Sequence, residues 1–123
     1  MKEIITDKAP MAIGPYSQAI KTNNTVFTSG QIPVNPTTGE IPDGAEAQAH
    51  QAFCNLKNLL EASGTGMDKV IKTTVFIQNM EDFAVINKIY EEYFSKPYPA
   101  RSCVEVSKLP KGVLIEVEAI ALI

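Results

Sequence analysis

The chain has 123 residues, of which 45% are hydrophobic and 20% charged, and this is the size of one compact domain spanning residues 1–123. One histidine and two cysteines are too few to build a zinc centre, so we expect no metal. The net charge of −3 argues against the broad positive surface of a protein that coats nucleic acid.

The N-terminus and the cysteines both indicate a cytoplasmic protein. Charges at Lys2, Glu3 and Asp7 interrupt the apolar core that a signal peptide requires, and no stretch is long enough for a membrane span. Cys54 and Cys103 are too few for a secreted disulfide framework, so we expect two reduced thiols and no membrane partner.

The first half of the chain predicts three short strands and a long helix. Extended segments are expected at residues 3–6, 17–21 and 26–29. Residues 31–44 contain three prolines and are expected to form an ordered surface connection. From residue 46 to residue 63 the apolar side chains fall on one helical stripe, and Gly64 is expected to end the helix.

The second half predicts a second helix among longer strands. Strands are expected at residues 70–77, 103–106 and 113–123. Residues 81–94 have the period of an amphipathic helix. This order predicts an α+β fold with a mixed sheet of about six strands, in which helices cross between parallel neighbours and the outer strand pairs form hairpins. Two helices cover one face of such a sheet, but the last strand is apolar on both sides. We therefore expect its other face to meet another subunit.

The strand entrance at residues 99–106 carries the most suggestive side chains. Strand alternation sends Arg101, Cys103 and Glu105 to one face. The guanidinium of Arg101 can hold a carboxylate ligand through two parallel hydrogen bonds. The alternative is an ion pair with Glu105 or with a carboxylate on another strand, and spacing alone leaves both interpretations open.

The last strand places two carboxylates, Glu116 and Glu118, on one face among aliphatic residues. Burial there would raise a carboxyl pKa toward neutrality, as a general base acting on water requires. The alternative is a solvated outer face on which these residues pair with Lys69 or Lys72.

Two turns are further candidates for lining a pocket. Residues 13–18 form a glycine-proline turn that fixes the hydroxyl of Tyr16 at a strand entrance, and residues 28–31 end a strand with the small residues Ser29 and Gly30. Turn chemistry alone would explain both segments. The sequence contains no nucleophile elbow, Walker sequence or dinucleotide fingerprint.

Taken together, these segments resemble one known family. The matching runs, in chain order, are GPYSQA at 14–19, TSGQIP at 28–33, KTTVF at 72–76, PARSCVEV at 99–106, LP at 109–110 and IEVE at 115–118. They are similar to the Rid (YjgF-type) family of reactive-intermediate deaminases, in particular to its archetypal RidA subgroup, which has an arginine at this strand entrance. The likeness spans the whole chain.

The resemblance implies a chorismate-mutase-like fold assembled as a homotrimer with clefts between neighbouring subunits. It also implies hydrolysis, without a cofactor, of imines and enamines such as 2-aminoacrylate, 2-iminobutyrate and 2-iminopropanoate to 2-keto acids and ammonia. By the same likeness Arg101 would hold the substrate carboxylate and Glu116 would orient or activate water. The other cleft residues would be Cys103 and Gly30 against the reacting end, with Tyr16, Ser29 and Asn87 completing the walls.

Two other functions stay open for the sequence. A non-catalytic regulatory protein would use the same cleft to bind small carboxylates and signal to a protein partner. RNA cleavage that inhibits translation is associated with some relatives, but the negative net charge argues against it here.

Overall fold

The computed structural model describes residues 1–123 as a six-stranded sheet with two helices packed on one side. The strands are β1 (Lys2–Ile4), β2 (Ala19–Thr22), β3 (Thr25–Thr28), β4 (Val70–Ile77), β5 (Ala100–Glu105) and β6 (Ile115–Leu122). The helices are α1 (Ala45–Ala62) and α2 (Phe83–Tyr93). Neither helix has the length and apolar character needed to cross a membrane. The predicted α+β class and mixed sheet are confirmed.

The last strand in the sequence, β6, lies inside the sheet. The strand order is β1-β2-β3-β6-β4-β5, and β4 and β5 are the one parallel pair. The predicted crossover between parallel neighbours is therefore correct for α2 but wrong for α1, because β6 separates β3 from β4. The hairpin predicted for the outer strands forms between β2 and β3 but not between β5 and β6. A strand that is apolar on both faces is buried more completely between two neighbouring strands than at the edge of a sheet.

The buried face of α1 is the one predicted from its hydrophobic period. The stripe residues with no exposed surface are Ala49, Ala52, Phe53, Leu56, Leu59 and Leu60. Burying each of the larger side chains stabilises the fold by about 1.5–3 kcal/mol. The helix ends at Ala62, and Gly64 follows with a φ of 85°, in the left-handed region that favours glycine.

Burial along β6 shows which side of the sheet the helices cover. Ile115, Val117 and Ala119 are buried on the helix side, whereas Glu116 and Glu118 alternate with them onto the other face. This uncovered face also carries apolar side chains that are 43–45% exposed, namely Phe27, Val104 and Leu122. The expectation that another subunit covers this face stays a prediction.

The chain between β1 and β2 has no regular structure and is held by the side chain of Gln18. Its Oε1 accepts a hydrogen bond from the backbone N–H of Thr6 at 2.8 Å. Its Nε2 donates to the carbonyl oxygens of Thr6 at 3.0 Å and Pro10 at 2.8 Å. One buried amide thus fixes the segment that forms a wall of the groove described below.

Candidate active site

Arg101 projects from β5 onto the helix side of the sheet. It is the only arginine in the chain and lies opposite Thr73 in the parallel register of β4 and β5. Its guanidinium carbon lies 4.7 Å from the ring centroid of Tyr90, and its Nη1 donates to Oδ1 of Asn87 at 2.7 Å. A neutral amide therefore occupies one of its five N–H donors, and the positive charge is available to an anion.

The sequence left open whether Arg101 pairs with Glu105. In the structure Oε1 of Glu105 accepts the backbone N–H of Met80 at 2.8 Å instead. A cavity of about 340 Å³ opens beside the arginine, lined by Asn87, Tyr90, Glu91, Tyr98, Pro99 and Arg101. The geometry therefore fits the ligand-binding interpretation better than the structural one.

Cys103 lies two residues along β5 on the same face, where it is partly buried. Burial raises the pKa of this thiol, and the positive charge of Arg101 opposes only part of the increase. The thiol is therefore protonated at neutral pH, and a protonated thiol is a poor nucleophile. A protonated thiol suits a residue that lines a cleft rather than one that attacks the substrate.

Glu116 projects from β6 onto the uncovered face, and Gly30 packs directly against it. A β-carbon at position 30 would lie 1.8 Å from Oε2 of Glu116, so this close approach requires glycine. The loop reaches β6 because Gln31 and Val117 exchange two backbone hydrogen bonds, at 2.7 and 3.1 Å. Two segments far apart in sequence thus meet at one carboxyl group.

Two causes shift the acidity of Glu116. Burial raises the pKa of its carboxyl group, and the like charge of Glu118 on the same face raises this pKa further. The predicted alternative was pairing with a lysine, but Nζ of Lys72 donates to Oγ of Ser102 at 2.8 Å. A raised pKa makes this carboxylate a stronger base, which is what removing a proton from water requires.

A groove of about 780 Å³ opens at Glu116, and both predicted turns line it through Tyr16, Ser29 and Gly30. The hydroxyl of Ser29 donates to the carbonyl oxygen of Ser17 at 2.6 Å, which ties the two turns together. These residues therefore shape the wall beside the carboxyl group.

The predicted site residues form two groups on opposite faces of the sheet. The group on the helix side consists of Arg101, Cys103 and Asn87, and the group on the uncovered side consists of Glu116, Gly30, Ser29 and Tyr16. The reason is strand alternation: Arg101 aligns with Thr73, whereas Glu116 aligns with Phe76, which points the other way. One chain therefore does not bring the two groups together.

Sequence reasoning missed two residues of these groups. Tyr90 belongs to the apolar stripe of α2, and this period predicts a core residue, yet its ring also lies under Arg101. Gln31 is only 4% exposed, and its Nε2 donates to the carbonyl oxygen of Ser29 at 3.2 Å, which braces the loop beside Glu116. Neither position follows from a local pattern: Tyr90 reaches Arg101 through the packing of α2 beside β5, and the Gln31 loop is held by its pairing with Val117 of β6.

Known proteins resemble this chain over its full length. The sequence profile of the family described as Endoribonuclease L-PSP matches residues 6–123. A protein of Escherichia coli (strain K12) named 2-iminobutanoate/2-iminopropanoate deaminase is 52% identical, over 98% of this chain and 96% of that protein. The crystal structure of RidA from the Antarctic bacterium Psychrobacter sp. PAMC 21119 has a TM-score of 0.97 at 46% identity and covers 100% of both chains. The crystal structure of E. coli TdcF with bound serine has a TM-score of 0.96 at 47% identity and covers 100% of this chain and 99% of that one.

Proposed function

The chain belongs to the Endoribonuclease L-PSP family, which is the Rid (YjgF-type) family that its motifs resemble, and we propose that it hydrolyses small 2-imino acids to 2-keto acids and ammonia. The relative from E. coli supports this substrate class through its name, which specifies 2-iminobutanoate and 2-iminopropanoate. Two properties of the site carry the proposal. Arg101 has N–H donors that are free to bind a carboxylate, and the carboxyl group of Glu116 has a raised pKa.

The proposed site is shared between two copies of the chain. Arg101 and Glu116 lie on opposite faces of one sheet, so a single chain cannot apply both to one small substrate. Because Arg101 lies on the edge strand β5, a second copy that places this edge beside the Glu116 groove of the first would bring them together. Repeating this contact around a closed ring gives identical sites, and the family resemblance indicates a ring of three.

The reaction needs few groups because an imine carbon is already electrophilic. Arg101 holds the carboxylate next to this carbon, and Glu116 takes a proton from water as the water oxygen bonds to the carbon. The protonated carboxyl group then returns the proton to nitrogen. This gives a carbinolamine. The carboxylate of Glu116 then takes the hydroxyl proton and passes it to the amino nitrogen as the carbon–nitrogen bond breaks, so ammonia leaves and the keto group forms. An enamine substrate first gains a proton at carbon to become the imine.

Cys103, two residues from Arg101 on the same face, lines the proposed cleft. Because burial raises the pKa of its thiol, the residue contributes shape and a weak donor rather than a covalent bond. The proposed reaction thus proceeds through direct attack of water on the substrate.

The proposal is tested by removing the arginine. An amino-acid oxidase or dehydratase generates the imine in situ, and formation of the 2-keto acid is followed with and without added protein. Arg101→Ala should lower kcat/KM by about a hundredfold or more, because a charged bidentate contact is lost. Arg101→Lys should recover little, since lysine lacks the planar fork.

The control is Lys57→Ala, which removes a positive charge from the exposed side of α1 and should leave the rate unchanged. A folded Arg101→Ala protein with the wild-type rate would contradict the proposal. Calorimetry with 2-ketobutyrate distinguishes the regulatory alternative, in which the wild-type protein binds the keto acid but does not accelerate hydrolysis.

A further inference from the structure

Arg101 rests on two aromatic rings of α2. Its guanidinium carbon lies 4.7 Å from the centroid of Tyr90 and 5.5 Å from the centroid of Phe83, both within the range of a cation–π contact. We call these two rings the arginine platform. Asn87, which lies on the same helix, accepts a hydrogen bond from Nη1 of Arg101 at 2.7 Å. One helix therefore contacts both the face and the edge of the guanidinium.

Tyr90 is itself held rigidly by contacts with the core of the domain. It is 4% exposed, and its hydroxyl shares a hydrogen bond of 2.8 Å with Oγ1 of Thr73, which has no exposed surface. Its ring stacks on Phe94 with centroids 4.3 Å apart and meets the edge of Phe53 at 5.6 Å. Burial raises the pKa of its hydroxyl, so the ring is neutral at physiological pH.

We propose that Tyr90 is a positioning residue that holds the guanidinium plane of Arg101 in the orientation required to bind the carboxylate of a 2-imino or 2-keto acid. The identity of the ligand in this inference rests on the proposed function, whereas the geometry around Arg101 does not depend on it.

The physical reason is the flexibility of arginine. An arginine side chain at the surface samples many rotamers, and freezing them on binding weakens affinity. A ring face beneath the guanidinium restricts its tilt, and Asn87 restricts rotation within its plane. The remaining N–H donors are then oriented before the ligand arrives.

Calorimetric titration with 2-ketobutyrate tests the inference. Tyr90→Leu removes the ring and should weaken binding by about threefold to thirtyfold, the range of a cation–π contact. Tyr90→Phe keeps the ring and should bind within about twofold of the wild type, because only the hydroxyl bond to Thr73 is lost. The matched control is Tyr93→Leu, which removes a tyrosine ring from the same helix and the same aromatic cluster, where it contacts Phe53 and His50 rather than Tyr90 or Arg101. It should lower stability while leaving binding unchanged.

A second measurement needs no ligand. Because Arg101 is the only arginine, the Nε–H region of a proton–nitrogen correlation spectrum contains one side-chain signal from this residue type. Tyr90→Leu should move this signal by removing the ring current and should broaden it as the side chain gains freedom. Tyr90→Phe and Tyr93→Leu should leave it close to its wild-type position.

The outcomes distinguish the two proposals. Unchanged affinity and an unchanged arginine signal in folded Tyr90→Leu protein would overturn the positioning role. Binding that depends on Tyr90 in a protein without hydrolytic activity would contradict the proposed function alone. In an Arg101→Ala background, Tyr90→Leu should have no further effect on the residual affinity, and an additive loss would also count against a role that acts through the arginine.

Discussion

Gly30 lies so close to the carboxyl group of Glu116 that a residue with a β-carbon fits at position 30 only if this carboxyl group moves. Gly30→Ala would place a β-carbon 1.8 Å from Oε2 of Glu116 and force the carboxyl group to move. The carboxyl group ends a flexible side chain, so stability should fall by only about 1 kcal/mol or less. We expect kcat/KM to fall by about a hundredfold, since a shift of about 1 Å disturbs the attacking water.

The matched control for this variant is Gly66→Ala. A β-carbon there would lie 2.9 Å from Oδ1 of Asp68, so it also displaces a flexible carboxylate, but outside the groove. Its activity should match the wild type in the same imine assay, with stability followed by urea denaturation. Equal activity in both alanine variants would show that contact with Glu116 does not matter.

The pH profile of kcat/KM reports on Glu116, because a general base must be deprotonated to act. Burial and the charge of Glu118 raise the pKa of its carboxyl group, so activity should decline on the acid side at a higher pH than for an ordinary glutamate. Glu118→Gln removes the like charge and lowers this pKa, and the acid limb should move to lower pH.

The control for the pH profile is Glu61→Gln, which removes an equal charge from the exposed side of α1. Its acid limb should coincide with that of the wild type. A limb that stays in place in Glu118→Gln, or moves to higher pH, would mean that another group governs the profile.

At the scale of elements, the irregular segment between β1 and β2 depends on one side chain. Gln18→Met keeps the approximate volume but removes the hydrogen bonds to Thr6 and Pro10, whose backbone groups then lack partners. The free energy of unfolding should drop by about 2 kcal/mol or more. Proteases should also cut the released segment at residues 7–14 faster than in the wild type.

Gln78→Met is the comparison for this effect. Gln78 also donates to backbone carbonyls, but its bond of 2.8 Å to Ser107 is exposed, so water can replace it. Its unfolding free energy should fall less than that of Gln18→Met. Similar losses in the two variants would contradict the anchoring role of Gln18.

At the scale of the whole molecule, the two faces of the sheet make a prediction about assembly. Arg101→Ala and Glu116→Gln should each be inactive alone. Mixed under conditions that allow subunit exchange, they should regain activity, because some sites then combine the arginine of one chain with the glutamate of another. In a ring with one such site per contact, equal mixing restores about one quarter of the sites.

The control mixture combines Arg101→Ala with the double variant Arg101→Ala, Glu116→Gln. No site in this mixture contains the arginine, so it should stay inactive whatever the extent of exchange. The mixture of Arg101→Ala with Glu116→Gln is the informative one. If it stays inactive although mass spectrometry shows mixed oligomers, the proposal of a site shared between two chains is wrong.

Much of the fold could be predicted from the sequence because it depends on local periodicity. The stripe on α1, the end of this helix before Gly64 and the alternation along β6 all follow from neighbours within a few residues. The family motifs identified some of the side chains that line the two cavities, including Arg101 and Glu116, because these residues occur in short recognisable runs.

Only the tertiary structure decided which of these residues meet. Strand pairing is a long-range choice, so the position of β6 between β3 and β4 could not be derived from its own pattern. This pairing directs Arg101 and Glu116 to opposite faces, and the packing of α2 on β4 and β5 brings Tyr90 under the arginine. The sequence by itself determined the chemical groups and the faces of each element. Their mutual geometry depends on hydrogen bonds and packing between segments distant along the chain.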